Sequence, residues 1–340
     1  MKYIFYVTFT SGLERAVRKL LFKNLKRPLI LNIFDGAILF EYNTIVKVTK
    51  LKCFNNIFIA LSIMKDNNTT SQKHVIQSLL KNVTKDLNLK FRQNTFKVSY
   101  VDKNILSTMN DRARNEVNRF IIKHFHLCSE KSSQNFEEFW ILKRSEGLHL
   151  FLYRISKSRK RKLFKGELRP ELAHTIVSIS NPNKNDIFLD PFAGYGGLTN
   201  DMAKSPFQKL YISDINQECT KIITSKIKSI VPNRTSDIEI ICSDFLTAKL
   251  PKNTFTKIVT DPPWGMFEEI DDLQEFYFKI LQKFFLILKK DGITVLLVSR
   301  EINIPEILNQ HNIPLECIEE FEILLSGRKA SIYKLKKTTN

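Results

Sequence analysis

Asp190, Asp214, Asp244 and Asp261 each close a short apolar run: Ile187-Phe188-Leu189, Leu210-Tyr211-Ile212-Ser213, Ile238-Glu239-Ile240-Ile241-Cys242-Ser243 and Ile258-Val259-Thr260. Short apolar runs bounded by turn residues read as buried strands. In an open α/β sheet, ligands sit beyond the carboxyl ends of the strands, so four carboxylates converge on one crevice. After Asp190 come Pro191-Phe192-Ala193-Gly194-Tyr195-Gly196-Gly197, and then Leu198–Ala203, which opens a helix. Glycines let the backbone pass close beneath a ligand, and a strand, glycine turn and helix in succession form a nucleotide-binding corner. Taken alone, the same stretch also reads as a tight turn with nothing bound. Asp214 follows Asp190 by 24 positions, near the spacing of roughly 20 at which a ribose-binding acid follows such a turn. The pattern is not G-x-G-x-x-G, and neither a G-x-x-x-x-G-K-[ST] motif nor any other phosphate clamp is present. The expected ligand is a nucleoside without phosphates.

Asp261-Pro262-Pro263-Trp264-Gly265 makes a rigid corner, because two prolines fix φ and offer no N–H. It presents a carboxylate, outward carbonyls and one large ring. Out of context it reads as a loop turn with a packed tryptophan. Asp214 has a competing role as a helix N-cap.

In this order, Asp190-Pro-Phe-Ala-Gly-Tyr-Gly-Gly, Asp214, Ser243-Asp244-Phe245 and Asp261-Pro-Pro-Trp-Gly resemble the motifs of class I S-adenosylmethionine-dependent methyltransferases. Asp-Pro-Pro-Trp resembles the amino-methylating branch, whose motif is Asp/Asn-Pro-Pro-aromatic. Upstream, Lys165-Gly-Glu-Leu-Arg-Pro-Glu-Leu-Ala173 resembles the segment leading into the catalytic domain of THUMP-containing RNA methyltransferases. The catalytic motifs cover about residues 165–335, whereas the likeness of the N-terminal half rests on layout.

The resemblance implies S-adenosyl-L-methionine as cofactor. Its binding residues would be Asp190, Phe192, Ala193, Gly194, Gly196, Asp214, Ile215, Asp244 and Phe245. Asp190 and Gly194 would lie by the methionine, Asp214 on the ribose hydroxyls, and Asp244 and Phe245 at the adenine, the ring packing on its face. Asp261, Pro262, Pro263 and Trp264 would be catalytic: the carboxylate and the Pro262 carbonyl accept from an exocyclic base amine while Trp264 stacks on the base. Methyl transfer from a sulfonium leaves a neutral thioether and needs no metal. The implied substrate is guanosine N2 in tRNA. Ribosomal RNA, DNA amino-methylation, protein glutamine methylation and a non-catalytic RNA-binding module are the alternatives. Tyr195 departs from the Thr or Ser that many relatives carry there.

The composition fits such a substrate. Across 340 residues, 53 Lys plus Arg stand against 35 Asp plus Glu, a formal charge of +18, and such excess points to a polyanion. A solvated basic surface is the bland alternative. The strongest local run is Ser156–Lys165, Ser-Lys-Ser-Arg-Lys-Arg-Lys-Leu-Phe-Lys, which reads as a phosphate-binding stretch or a solvated linker. No apolar run reaches the ~18 residues that span a bilayer. Cys53, Cys128, Cys219, Cys242 and Cys317 form no C-x-x-C pair, which fits a reducing cytoplasm. His124, His126 and Cys128 have the wrong spacing for a metal site.

The elements that would carry these residues divide the chain into 1–66, a ferredoxin-like module; 67–156, a THUMP-like RNA-binding domain; and 157–340, a class I methyltransferase domain. The expected fold is α/β: a C-terminal doubly wound, Rossmann-like sheet ending in an antiparallel hairpin (317–326 with 329–336), preceded by an α+β region. In the first module, strand 3–10, a helix to about 24, a hairpin 29–33/36–40 turning at Asp35-Gly36, and a helix over 43–52 or on to 64 are expected. Helices 72–85 and 110–127 and strands 95–101, 136–143 and 147–155 follow. The catalytic half alternates helix 170–180, strand 187–189, helix 198–204, strand 209–213, helix 216–230, strands 238–242 and 256–260, helix 272–289, strand 293–298 and helix 304–311.

Overall fold

The computed structural model describes residues 2–66, 71–84, 87–103, 105–129, 135–157, 163–164, 166–265, 270–325 and 327–338. Most of the basic run 156–165, and residues 67–70 of the polar break, lie outside the described residues. The chain forms two compact units: Met1–Thr8 with Leu21–Ser158, and Phe9–Leu20 with Arg159–Asn340.

The first unit is built on one sheet of eight strands: β1 (Tyr3–Thr8), β2 (Leu29–Phe34), β3 (Ala37–Tyr42), β4 (Asn56–Lys65), β5 (Phe96–Asp102), β6 (Ile105–Ser107), β7 (Glu137–Lys143) and β8 (Leu148–Lys157). Their spatial order is β2-β3-β1-β4-β8-β7-β5-β6. The β2–β3 hairpin turns at Asp35-Gly36, with Phe34 opposite Ala37 and Gly36 at φ 67. The boundary expected near residue 67 does not separate two sheets, because β4 pairs along its length with β8.

Residues 56–64 correct the alternative in which the second helix runs on to 64. That helix, α2, stops at Thr49, and 56–65 is a strand. Between β1 and β8 it is covered on both faces from Ile57 to Ser62, so its residues show no alternation. A continuous apolar run of this kind cannot be told from buried helix by periodicity. Helices α1 (Glu14–Asn24), α2 (Ile45–Thr49), α3 (Gln72–Lys81) and α4 (Asp111–Phe125) complete this half of the chain. Val117 and Ile121 of α4 are fully buried, and Asn110 caps it by accepting from the Ala113 N–H at 2.8 Å.

The second unit carries seven strands: β9 (Ile187–Asp190), β10 (Lys209–Asp214), β11 (Ile238–Cys242), β12 (Phe255–Thr260), β13 (Leu288–Ser299), β14 (Leu315–Leu325) and β15 (Arg328–Lys337). They lie in the order β11-β10-β9-β12-β13-β15-β14. The first five are parallel; β15 runs antiparallel to β13 and to β14. This is the expected doubly wound sheet with its terminal hairpin. The helices are α5 (Pro170–Ile179), α6 (Thr199–Lys204), α7 (Gln217–Ile230), α8 (Leu273–Ile287) and α9 (Ile304–Gln310). Along α8, Tyr277, Ile280, Leu281, Phe284 and Ile287 recur at helical spacing and are buried in one core with Ile258, Leu296 and Val298.

Residues 9–20 belong to this unit although they lie far from it in sequence. Gly12 (φ +90) lies against β14 so closely that a Cβ would fall 1.8 Å from the Glu322 carbonyl oxygen. Arg15 donates to the Glu320 carbonyl at 2.9 Å, and Lys19 pairs with Glu319. Among the described residues no helix is long and apolar enough to cross a membrane.

Candidate active site

The strand order changes direction at β9, which has β10 on one side and β12 on the other. A ligand crevice opens at such a switch point. The carboxyl ends of β9, β10, β11 and β12 bring Asp190, Asp214, Asp244 and Asp261 to one edge of the sheet.

Asp190 lies beneath this edge and is 1% exposed. Its carboxylate accepts from the Thr199 hydroxyl at 2.9 Å and from the Thr260 hydroxyl at 3.0 Å. It thus ties the first residue of α6 to the last residue of β12. Burial pushes its pKa up to about 7 against the pull of the two hydroxyls, and the Asp214 charge adds to the rise.

The glycine turn follows. Ala193 donates its N–H to the Ser213 carbonyl at 3.0 Å. Gly194 stands at φ +51, its N–H donates to Asp214 Oδ2 at 2.7 Å, and a Cβ there would meet nothing within 4 Å. The backbone is therefore bare toward open space at this point. A Cβ on Gly196 (φ +84) would meet Ile223 Cγ1 at 3.2 Å, so this glycine admits close packing of α7.

Asp214 also accepts from the Asn216 N–H at 2.8 Å. The cap of α7 is Asn216, whose side chain accepts from the Glu218 N–H at 2.8 Å, so the capping alternative falls to the neighbour. Ile215 is 67% exposed, an aliphatic face at the strand end. Asp244 holds its own turn, accepting from the Leu246 N–H at 3.0 Å.

Phe245 is 2% exposed and sits edge-on to Phe192 at 5.5 Å and beside Phe284 at 5.5 Å. Its ring is a core ring, whereas Phe192 is only half-buried. Lys283 fixes the turn from below. Its ammonium donates to the carbonyls of Phe245, Leu246 (3.1 Å) and Ala248 (2.6 Å).

The Asp261-Pro262-Pro263-Trp264 corner is pinned twice. Trp264 Nε1–H donates to Asp261 Oδ1 at 2.9 Å, and the Tyr277 hydroxyl donates to the Pro263 carbonyl at 3.0 Å. Asp261 is only partly exposed at the strand end. Burial pushes its pKa up to about 7, the indole N–H pulls it down, and Asp190 raises it. The same burial raises the Tyr277 phenol well above its ordinary value.

Sequence reasoning missed Thr199, Thr260, Tyr277 and Lys283. Lys283 had a signal, since a lysine interrupting the apolar face of 276–288 needs acceptors if it is to be buried. The two threonines had none, because Asp190 reaches them only through the sheet.

The residues fit S-adenosylmethionine. Acids at the strand ends suit sugar hydroxyls and a cationic methionine, the bare backbone at Gly194 allows close approach, and the exposed Ile215 supplies an apolar face for a base. Comparisons agree. The chain matches the "DNA methylase" family over residues 22–225 and the "RMKL-like, methyltransferase domain" family over 199–331. It is 31% identical over 182 residues to the probable tRNA (guanine(10)-N2)-dimethyltransferase of Methanothermococcus thermolithotrophicus, covering 50% of this chain and all of that protein. Among solved structures, TrmN from Thermus thermophilus has a TM-score of 0.75 at 15% identity, covering 98% of this chain and 99% of that one. SMU.472, solved with SAH, has a TM-score of 0.71 at 15% identity over 98% and 97%.

The chain belongs to the class I S-adenosylmethionine-dependent methyltransferases. It is an enzyme whose methyl donor is S-adenosylmethionine.

Proposed function

We propose that the protein methylates the exocyclic N2 of guanosine in tRNA. The Asp261–Trp264 corner carries this reading, because it offers a carboxylate and a carbonyl to a planar amine beside an aromatic face. The nucleobase and the RNA come from the relative whose name specifies guanine-N2 methylation of tRNA.

Bound S-adenosylmethionine supplies a methyl on a sulfonium. Asp214 takes the ribose hydroxyls, Asp244 the adenine amino group, and the backbone at Gly194 faces the methionine, with Ile215 and the half-buried Phe192 as apolar flanks. Asp190 acts from below by holding Thr199 and Thr260 in place.

An exocyclic amine is a poor nucleophile because its lone pair is spread into the ring. Asp261 and the Pro262 carbonyl accept from its two N–H groups, which fixes the nitrogen and returns electron density to it. Tyr277 holds the Pro263 carbonyl and Trp264 holds Asp261 Oδ1, so the acceptors are set before the base arrives. On methyl transfer the nitrogen would become cationic and the donor would depart as a neutral thioether. The nitrogen then sheds one proton, which Asp261 can take because burial has raised its proton affinity.

The first unit would supply RNA affinity. Of the charged side chains, 24 Lys and Arg against 11 Asp and Glu fall in it, and its ferredoxin-like and THUMP-like layout fits an RNA-presenting role in the cytoplasm. The match to "DNA methylase" over 22–225 favours a second reading, amino-methylation of DNA.

Purified protein incubated with S-adenosylmethionine and, separately, tRNA, ribosomal RNA and single- or double-stranded DNA separates these. Nucleoside mass spectrometry should find N2-methylguanosine in tRNA. N6-methyladenosine or N4-methylcytosine in DNA, with tRNA untouched, would overturn the proposal.

A further inference from the structure

Phe164, Glu167 and Leu168 lie ahead of the catalytic sheet and have no part in the assignments above. They rest directly on the glycine turn. A Cβ on Gly197 would stand 3.3 Å from the Leu168 backbone nitrogen and 3.7 Å from Glu167 Cγ. The Glu167 side chain is fully buried. One of its oxygens accepts from the Phe164 N–H at 3.1 Å, and the other accepts from the Lys226 ammonium at 3.2 Å. From α7, Lys226 reaches across to donate to the Tyr195 carbonyl at 2.7 Å. The Phe164 ring stacks on the Tyr195 ring at 4.4 Å and 12°, with the Lys226 ammonium 5.2 Å from the Phe164 centroid.

These contacts converge on Tyr195, the residue between Gly194 and Gly196. Both glycines have positive φ, so the peptide units on either side of Tyr195 turn within soft backbone limits. The orientation of those units sets where the Gly194 carbonyl and the Tyr195 N–H point and how close the turn comes to a ligand. A carbonyl held by an ammonium, with the ring above it held by a second ring, removes that softness. A buried carboxylate is costly without partners, so Glu167 is placed where Lys226 must meet it.

We propose that Phe164, Glu167 and Leu168 form a latch on the cofactor turn, with Glu167 and Lys226 as positioning residues for S-adenosylmethionine and the Phe164–Tyr195 stack as its outer bolt. The tyrosine then has a reason: its ring needs the phenylalanine, and the two act as a pair. The inference rests on the cofactor assignment.

The test is calorimetric titration of S-adenosylmethionine into full-length protein, with thermal midpoints and steady-state methylation measured in parallel. Lys226→Met should raise the cofactor Kd by about tenfold or more, the loss of a charge-assisted hydrogen bond. It should leave kcat at saturating cofactor within about twofold, because uniform cofactor binding is what is lost. Lys226→Arg should recover most of the affinity, and Glu167→Gln/Lys226→Met should bind no worse than Lys226→Met alone, as members of one network.

Arg234→Met provides a stability control. Arg234 holds the carbonyls of Ser205 and Phe207 and the Asp237 carboxylate, so it should lower the midpoint without moving Kd. If Lys226→Met does not fold, Phe164→Ala, which trims a ring 43% exposed, should still weaken cofactor binding by about threefold, the scale of a lost ring pair. Latch variants with wild-type Kd, whatever their thermal midpoints, would overturn the latch. A wild-type protein that fails to bind the cofactor would instead sink the assignment beneath it.

Discussion

The second unit gathers its charged residues of both signs in near balance, 29 Lys and Arg with 24 Asp and Glu, and sets four of the acids at the ends of adjacent parallel strands. The first unit has an excess of cations, spread over a sheet in which neighbours in space are remote in sequence, such as Asn56 opposite Lys157. One region concentrates function into a few positions that a ligand must touch. The other, on its proposed RNA-binding role, distributes it, since phosphate contacts supply affinity and register through many weak, exchangeable charges. Single substitutions should therefore be severe in the second unit and mild in the first.

Asp261→Ala tests the concentrated side hardest. It removes the proposed acceptor for the amine and leaves the Trp264 indole without Asp261 Oδ1. The expected loss is about 10²–10³-fold in kcat, the cost of one preorganised polar contact to the reacting group. Cofactor Kd should stay within a few-fold, because the proposal assigns the sugar to Asp214 and not to this corner. Near-normal turnover would defeat the assignment.

Charge removal tests the distributed kind of contact at the basic run that begins at Ser156 in the first unit and continues into the second from Arg159. Replacing Arg159, Lys160, Arg161 and Lys162 together by Ala should lower RNA affinity strongly and flatten its salt dependence by roughly one unit per true phosphate contact. No single one of the four should account for most of the change. The full chain is the right vehicle. A fragment starting near Lys165 would lose residues 9–20, which pack on β14 in the second unit through Gly12 and Arg15, so its failure could not be charged to lost RNA contacts. An unchanged salt slope would mean that the basic run is only a solvated linker.

Asp214→Ala comes next in size. Two proposed ribose contacts of about 1.5–3 kcal/mol each are at stake, and the Gly194 N–H that now donates to Asp214 is also released. Cofactor Kd should rise by at least tenfold. Asp214→Asn, which keeps an acceptor for that N–H, should fall between the two. Equal affinities in wild type and the Ala variant would show that the carboxylate serves the turn alone.

The same contrast explains what could be read in advance. Each catalytic motif is local: a strand end, a turn and the start of a helix lie within a dozen residues, so sequence order alone outlines the crevice. What it could not supply was the role of residues whose partners come from other elements. Asp190 reads as one more strand-end acid, yet Thr199 and Thr260 make it an anchor. Phe245 reads as an adenine platform, yet Phe192, Phe284 and Lys283 enclose it. In the first unit the failure lay in secondary structure itself, because β4 is buried on both faces and gives no period, and β6 is only three residues long.

Trp264→Phe asks for the smallest effect and the finest distinction. The ring remains to stack on a base, while the N–H donated to Asp261 Oδ1 at 2.9 Å is lost. That N–H favours the ionised carboxylate, so its removal moves the Asp261 pKa up from about 7. Only the ionised form accepts from both the amine and its departing proton, so wild-type kcat should rise with pH through about 7. In Trp264→Phe the midpoint should move to higher pH, with turnover a few-fold lower at neutrality and recovering toward wild type in alkali. Stability runs the other way. The folded protein holds protons on Asp190 and Asp261 that the unfolded chain has released, so their contribution is present at low pH and is lost as pH rises through about 7. Rising activity and falling stability over one pH window would mark a carboxylate that the fold keeps protonated and the reaction needs ionised. A kcat midpoint that stays put in Trp264→Phe would assign the titration to another group and leave the indole only its ring.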